Sequence, residues 1–431
     1  MNTLIWFRNN LRITDNISLQ KACEAENTIA AYFFDPRQFQ KDDFGFKKTE
    51  KFRAKFLIES VTNLKDNLKK INIPLYIFYA KPEDLIKKLI DEHKIKTIHL
   101  QAEWTRDENN VLNAVKNSLS KNIRFIESCD QFLFDPKEIP YNSFYNIPEV
   151  FTNFRKLCEK HVAIRKPVTA IESKPYENYF ETNSRIPTLV QLGFKDFEPD
   201  HRSAFPFKGG EEAALKRLND YIWNKRRIVS YKKTRNGLIG TDYSSKLSAW
   251  LANGCISPIT IYWTIKEFEK EIVKNEDTYW LIFELIWRDY FKYVSLKHKH
   301  KIFDLGGMAN KDYKWNNCAE SLDDWINGKT TEPFVNANMI ELANTGWMSN
   351  RGRQNVASYW SKGLKQDWRI GAAYFESMLI DYDVHSNWGN WMYNSGVGND
   401  PRDRKFNIKR QADMYDPKGK FQRLWLQEQL F

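Results

Sequence analysis

Short apolar runs alternate with amphipathic stretches through the first part of the chain. TLIWFR (3–8), TIAAYFFD (28–35), PLYIFYA (74–80), KTIHLQA (96–102) and IRFIESC (123–129) have the length and β-rich character of strands. Between them TEKFRAKFLIESVTNLKDNLKK (49–70) and PEDLIKKLIDEH (82–93) carry the helical period. The alternation predicts a doubly wound parallel α/β sheet over residues 1–130, whose ligands would sit at the carboxyl ends of the strands. The first strand runs into RNNLRITDN instead of a GxGxxG turn, so a dinucleotide fingerprint is missing where this fold would carry it. Residues 131–205 have scattered Pro, Asn and Ser with weak periodicity and read as a long interdomain connector. From 206 to 431 the strand signal disappears. GGEEAALKRLNDYIW, TYWLIFELIWRDYFKYVSLKH, EPFVNANMIELANTG, RGRQNVASYWSKGL and DWRIGAAYFESMLID predict a second, all-helical domain, giving an α/β plus all-α chain.

Composition sharpens this picture in two places. Aromatics make up 15% of the 431 residues, and thirteen of the 15 Trp lie after residue 200, an excess that a plain helical core does not require. The net charge of +11 divides at residue 200 into 31 basic against 28 acidic residues before and 35 against 27 after. A polyanion partner would account for that bias through counterion release, as would a merely Lys-rich surface. Five cysteines without CxxC spacing support neither a disulfide framework nor a metal cluster, which makes a reducing cytoplasm the expected setting and no metal the expectation. MNTLIWFRNNLR breaks its apolar run at Arg8, and no window has the length of a membrane span.

Three constellations carry candidate chemistry. In ELIWRDYF, Glu284, Trp287, Arg288 and Phe291 share one helical face. They could read an unstacked base, or Glu284 and Arg288 could form a plain i,i+4 ion pair beside core aromatics. In TRNGLIGTDYSSKLSAWL, Ser244, Ser245, Lys246 and Ser248 open a predicted helix after a Gly-rich loop and would suit a pyrophosphate, the alternative being an ordinary Ser-capped helix. Asn350, Arg351, Arg353 and Gln354 begin another helix, and Asp381 and Asp383 end the one that follows. An antiparallel hairpin would let Arg353 reach Asp381 and contact a planar heterocycle, with Asn387 just beyond, able to bond a ring nitrogen. Trp315, Trp368 and Trp391, on separate segments, could form a hopping chain for single electrons or be core aromatics. HExxH, GxSxG and Cys/His pairings are lacking, which argues against hydrolysis.

WFRNNLRITDN, TDYSSKLSAWLANGCISP, FELIWRDYF and WINGKTTEPFVNANMIELANTGWMSNRGRQNVASYW, followed by DWRIGAAYFESMLIDYDVHSNWGNW, resemble the signature segments of the photolyase/cryptochrome flavoproteins over essentially the whole chain. NRGRQNVAS, SNWGNW, GVGNDPR and KRQADMYDPKG are similar to the cryptochrome-DASH versions. The resemblance implies an α/β antenna domain, a connector and a helical domain holding FAD. By motif, Tyr231 and Ser244, Ser245, Lys246, Leu247 and Ser248 would hold its phosphates and ribityl chain. Arg288, Asn350, Arg353, Asp381, Tyr382 and Asp383 would line the flavin, and Asn387 would stand beside N5. Trp391, Trp368 and Trp315 match the family's electron-transfer chain in order, and Glu284, Trp287, Arg351, Gln354 and Tyr393 match positions facing the lesion or touching DNA.

The activity so implied is light-driven splitting of cyclobutane pyrimidine dimers by electron transfer from reduced FAD. SNRGRQNV lacks the histidine pair of (6-4) photolyases, Asn387 matches repair enzymes, and FQRLWLQEQLF carries no long polar signalling tail. Gln354 and Tyr393 stand where duplex-acting enzymes of the family usually have Met and Trp, so single-stranded or looped DNA is the expected substrate. The competing readings are a flavin photoreceptor that binds nucleic acid without repair and a nonenzymatic single-strand binder. A methenyltetrahydrofolate antenna is compatible with QAEWTRDENN, Glu103 and Glu108 being candidate contacts. Asn10, Asn336 and Ile340 depart from the family's Asp, Asp and Arg. A monomer without membrane contact is expected.

Overall fold

The computed structural model describes residues 2–400 and 402–427. Five parallel strands, β1 (Asn2–Phe7), β2 (Asn27–Phe33), β3 (Leu75–Phe78), β4 (Ile95–Gln101) and β5 (Arg124–Ser128), form one sheet in the order β3-β2-β1-β4-β5. The order reverses direction at β1, the hallmark of a doubly wound sheet. Leu4, Trp6, Ile29, Ala31 and Ile98 point to one face, under the Pro82–His93 and Arg106–Ser118 helices. Ile5, Phe7, Ala30 and Tyr32 point to the other, as strand alternation requires. That second face joins a core that runs without interruption into the helical half through Leu281, Ile282, Leu285 and Tyr293.

The Glu276–His298 helix is the spine of the helical part. Asn275 and Thr278 close a capping box at its start, Glu276 and Asp277 sit at the positive end of its dipole, and Lys297 and His298 at the negative end. Its inner face anchors the chain that leaves the sheet. Buried Asp289 accepts the N–H groups of Leu133 and Phe134, each at 2.8 Å, and Tyr293 donates to the Phe134 carbonyl at 2.7 Å. The stretch after β5 is therefore bonded along this helix, and it contains an 11-residue helix, Phe151–His161, that weak periodicity did not reveal.

Further along come Pro333–Thr345, Asn350–Ser358, Trp368–Met378 and Val384–Ser395, and the Asn350–Ser358 helix widens into a π turn at Tyr359–Gly363. These helices surround a second core cluster built around Trp325, Trp360, Trp368, Trp388 and Trp391. Asn336, where an Asp was expected, fastens the loop before its own helix by accepting from the Thr330 N–H and hydroxyl and donating to the Thr330 carbonyl. Ile340 covers Gly328 next to it. The neutral pair thus closes this corner by local bonds and apolar contact instead of an ion pair. Among the described residues no helix is long and apolar enough to cross a membrane.

Candidate functional site

A cavity of about 500 Å³ opens between the Glu276–His298 helix, the 243–252 segment, the start of Asn350–Ser358 and the Val384–Ser395 helix. Its size is that of a site for a large organic ligand. Tyr231, Ser244, Ser245, Lys246, Leu247, Ser248, Glu284, Trp287, Arg288, Asn350, Arg351, Arg353, Gln354, Asp381, Asp383 and Tyr393 all contribute to its lining. Segments more than 150 residues apart thus meet at one cavity.

The central feature is an ion pair. Arg353 Nη2 lies 2.9 and 3.0 Å from the two Asp381 oxygens, and Ser248 Oγ donates to Asp381 Oδ2 at 2.7 Å. Arg353 Nε is spent on the Met348 carbonyl at 2.9 Å, which fixes the guanidinium plane. Asp381 and Asp383 do not end the preceding helix as expected. That helix stops at Met378; Asp381 lies in the turn beyond it, and Asp383 is the N-cap of Val384–Ser395, accepting the Ser386 N–H. Asp383 also pairs with buried Lys292 at 3.0 Å. Burial alone would raise its carboxyl, but Lys292, His385 and Arg288 hold it well below the usual carboxylate range.

Residues of the 243–252 segment depart from expectation in another way. The helix there is only Ser248–Ala252, with Leu247 at its cap and no side-chain capping bond. Ser244, Ser245 and Lys246 precede it in a turn, so neither a long helix dipole nor a Ser cap operates. Lys246 adopts φ +64°, and its ammonium lies buried 3.3 Å from the centre of the Tyr243 ring and 4.7 Å from that of Trp347. Its Nζ has no hydrogen-bond partner among the described residues.

Along the Glu276–His298 helix the expected Glu284 to Arg288 pair is not formed. Glu284 bonds instead to Arg235 at 2.6 Å, and Arg288 donates to the backbone carbonyls of Gln131 (2.5 Å) and Leu251 (3.1 Å). Burial pushes the Glu284 carboxyl above its ordinary value against the pull of Arg235. Trp287 stacks on Phe151 with centroids 3.7 Å apart and leaves its edge toward Tyr393. The Tyr393 hydroxyl accepts from Arg404 at 2.5 Å. Arg351 donates to Asn236 and lies over Tyr415.

Two expected lining residues are elsewhere. Tyr382 points away from the cavity, under the Arg53 guanidinium and beside Trp388 and Glu376. The segment between the two helices is a turn, closed by the Tyr382 N–H to Leu379 carbonyl bond at 3.3 Å, and of its residues 381 and 383 reach the cavity. Asn387 is buried one position off the lining stripe of Ser386, Asn390, Tyr393 and Asn394, and its amide donates to the Ala372 carbonyl at 3.0 Å. Asn390 and Asn394 were missed; their i, i+4, i+8 spacing from Ser386 was the available signal. Arg235, Trp347, Arg404 and Phe406 also line the cavity, and no motif marked them.

Trp391 and Trp368 are fully buried and Trp315 half-buried. Trp391 packs directly on the backbone of the Trp368–Met378 helix at Gly371, one turn from Trp368; a Cβ there would stand 2.3 Å from the indole Cη2. Gly371→Ala should therefore displace Trp391 and cost roughly 1–3 kcal/mol by overpacking, read as a lower midpoint in urea unfolding. An unchanged midpoint would show that the indole can slide without penalty. Trp315 adjoins the segment leading into the same helix, through the Asn316 N–H to Lys365 carbonyl bond of 2.7 Å.

Beyond the ends of β1 and β4, Glu103 is buried and accepts from Asn9 and Gln101, while Glu108 accepts from the Thr105 hydroxyl. Arg8 Nη1, Gln101 Oε1 and Gln131 Oε1 are buried without hydrogen-bond partners among the described residues.

Two family profiles match the chain: DNA photolyase over residues 3–174 and the FAD binding domain of DNA photolyase over residues 280–429. The chain is 45% identical over 428 residues to a protein of Gloeobacter violaceus, spanning 99% of this chain and 85% of that one, and 44% identical to one of Xenopus laevis, spanning 98% and 82%. Its fold superposes on the crystal structure of a Synechocystis cryptochrome with a TM-score of 0.94 at 44% identity, covering 99% of this chain and 89% of that one. A Sulfolobus tokodaii photolyase solved with two FAD molecules gives 0.80 at 27%, covering 99% and 90%. The chain is a member of the photolyase/cryptochrome family of FAD-binding flavoproteins. Within that family it falls among the cryptochrome-DASH proteins, the name borne by the Gloeobacter and Xenopus relatives.

Proposed function

We propose that this flavoprotein splits cyclobutane pyrimidine dimers in DNA under blue or near-UV light, with a preference for single-stranded or looped DNA. The observation that supports it most is the single cavity in which a clamped Arg353–Asp381 pair faces Glu284, Trp287, Gln354 and Tyr393. The donor set fits FAD: serine hydroxyls and turn amides for phosphates, and a guanidinium, carboxylates and Asn350 for a polar heterocycle. Bound FAD would supply the light absorption and the electron. Tyr231 and residues 244–248 would hold its phosphates. Arg288, Arg353, Asp381 and Asp383 would orient the ring, Asp383 being kept ionised by Lys292, and Asn387 would support it from behind through the Ala372 bond.

At the mouth, Trp287 offers a stacking face, already stiffened by Phe151. Glu284, held by Arg235 at 2.6 Å, presents a carboxylate that can accept from a pyrimidine ring N–H. Arg351 and Arg404 flank the opening, where they can meet phosphates. Trp391, Trp368 and Trp315 would deliver electrons that keep the cofactor reduced. The orphaned polar atoms near Glu103 and Glu108 suit a polar antenna such as a folate.

The strand preference follows from Gln354 and Tyr393. An amide and a phenol committed to Arg404 stack weakly, so the pocket offsets little of the few kcal/mol that extruding bases from a duplex costs. The test is illumination of the reduced protein with oligonucleotides carrying one thymine dimer. Repair of the single strand should exceed that of the duplex by about tenfold, the effect of roughly 1.4 kcal/mol. Equal rates would remove the preference. Binding without any splitting would leave the photoreceptor reading in its place.

A further inference from the structure

The three indoles of the proposed electron chain differ in what their N–H groups meet. Trp368 Nε1 donates to the Leu305 carbonyl at 2.9 Å, and Trp315 Nε1 is buried with no partner. Among the described residues, neither N–H meets a carboxylate that could take its proton.

A fourth indole is placed differently. Trp388 is buried and in edge-to-face contact with Trp368, centroids 5.7 Å apart and planes at 79°. Its Nε1–H is shared between Glu376 Oε2 at 3.2 Å and the Tyr382 hydroxyl at 3.3 Å. The Tyr382 hydroxyl and the Glu376 carboxylate therefore meet at the same indole N–H. The Arg53 guanidinium sits 4.6 Å from the centre of the Tyr382 ring, and Lys48, Arg106 and Glu108 also act on this cluster. An indole in ring contact with the chain, a phenol and a proton acceptor are thus joined on the side of the Trp368–Met378 helix away from the cavity. Burial raises the proton affinity of Glu376 while Arg53 opposes it.

We propose that Trp388, Tyr382 and Glu376 form a proton-coupled side branch of the tryptophan chain, in which a light-generated vacancy ends as a neutral Tyr382 radical. The branch rests on the reading of Trp391 and Trp368 as electron-transfer residues. Trp391 gives one electron to light-excited oxidised FAD and is refilled by Trp368, which is refilled by Trp388. Tyr382 then gives one electron to Trp388; its O–H bond breaks and the proton passes to the Glu376 carboxylate, which becomes a carboxylic acid. Trp388 returns to its closed-shell state. No further reactant is needed, and the phenoxyl carries no net charge in a site that disfavours a new cation beside Arg53.

Two measurements separate the branch from the chain that feeds it. After a blue flash on the FAD-loaded protein, time-resolved EPR and absorbance should show a tryptophanyl signal giving way to a tyrosyl one. Tyr382→Phe should abolish the tyrosyl signal, Trp388→Phe should abolish it equally, and Trp315→Phe should leave it. Glu376→Gln, which keeps the shape, should slow its appearance by roughly a hundredfold, the usual worth of a positioned proton acceptor. In the second, azide radicals generated by pulse radiolysis oxidise indoles of the FAD-free protein directly. A tryptophan-to-tyrosine transfer phase lost in Tyr382→Phe and Trp388→Phe supports the branch even where the flash produces no indole radical, an outcome that would sink only the feeding chain. A transfer phase unchanged in both variants overturns the branch.

Discussion

Replacing Arg353 with leucine should destabilise the protein by about 3–5 kcal/mol and leave it colourless after purification. The magnitude is that of breaking a buried ion pair from one side. The Asp381 side chain is 3% exposed, and with the guanidinium gone only Ser248 Oγ remains to bond its carboxylate. The same removal frees the Met348 carbonyl and detaches the start of the Asn350–Ser358 helix from the turn that carries Asp381 and Asp383. Both walls of the cavity are set by that link, so stability and flavin retention should fall together. Arg353→Lys provides the graded case: it keeps the charge but cannot bond Met348 and Asp381 in one plane, so it should lie between leucine and the wild type. Urea unfolding and visible absorbance of the purified variants measure the two effects. Wild-type stability with full flavin content in Arg353→Leu would show that the pair organises nothing.

What the sequence made legible follows from periodicity. All five strands carried their signal because a parallel sheet covered on both faces needs continuous apolar runs, and each was placed to within a few residues. The long helices were equally plain. Failures cluster where backbone turns decide the outcome. Apolar residues continue through Met378, Leu379 and Ile380, so the helix seemed to extend to Asp381, although Leu379 is already extended. That error also hid Tyr382: a helix carried on to Asp381 takes no account of the turn closed by the Tyr382 N–H to Leu379 carbonyl bond, beyond which the phenol lies under Arg53.

Glu284 and Arg288 illustrate a different limit. Their spacing permits an ion pair, yet each has a better partner from a distant segment: Arg235 for the acid, the Gln131 and Leu251 carbonyls for the guanidinium. Spacing along one helix cannot register competitors that the fold supplies. The Arg353–Asp381 pair was expected from a helical hairpin, and it forms with Asp381 carried in the turn beyond Met378 instead of on the helix. The cofactor's identity came from motifs, since hydroxyls, carboxylates and guanidinium groups of this kind would serve many polar heterocycles.

The second large effect concerns Glu341, on the Pro333–Thr345 helix. Its side chain is 1% exposed, neither oxygen has a hydrogen-bond partner among the described residues, and burial pushes its carboxyl up to about 8 despite the pull of Lys246 and Arg353. An acid raised on folding binds its proton more tightly in the native state, so its contribution is fully present below the ordinary value of 4.5 and is lost as pH rises through about 8. At about 1.4 kcal/mol per pKa unit the ceiling is about 4–5 kcal/mol. Lys246 acts in the opposite sense: burial lowers its ammonium well below the ordinary value, so its cost shrinks as pH rises and part of the Glu341 loss is cancelled. Glu341→Gln keeps the volume and removes the charge. Measured against the variant, the wild type should lose stability between about pH 5 and 8, and at about pH 8.5 the variant should be the more stable by at least ~1 kcal/mol. Urea midpoints across that range measure the difference. Parallel curves for the two proteins would mean that Glu341 is ionised throughout and that the Lys246 ammonium, held 3.3 Å from the Tyr243 ring centre, fully compensates it.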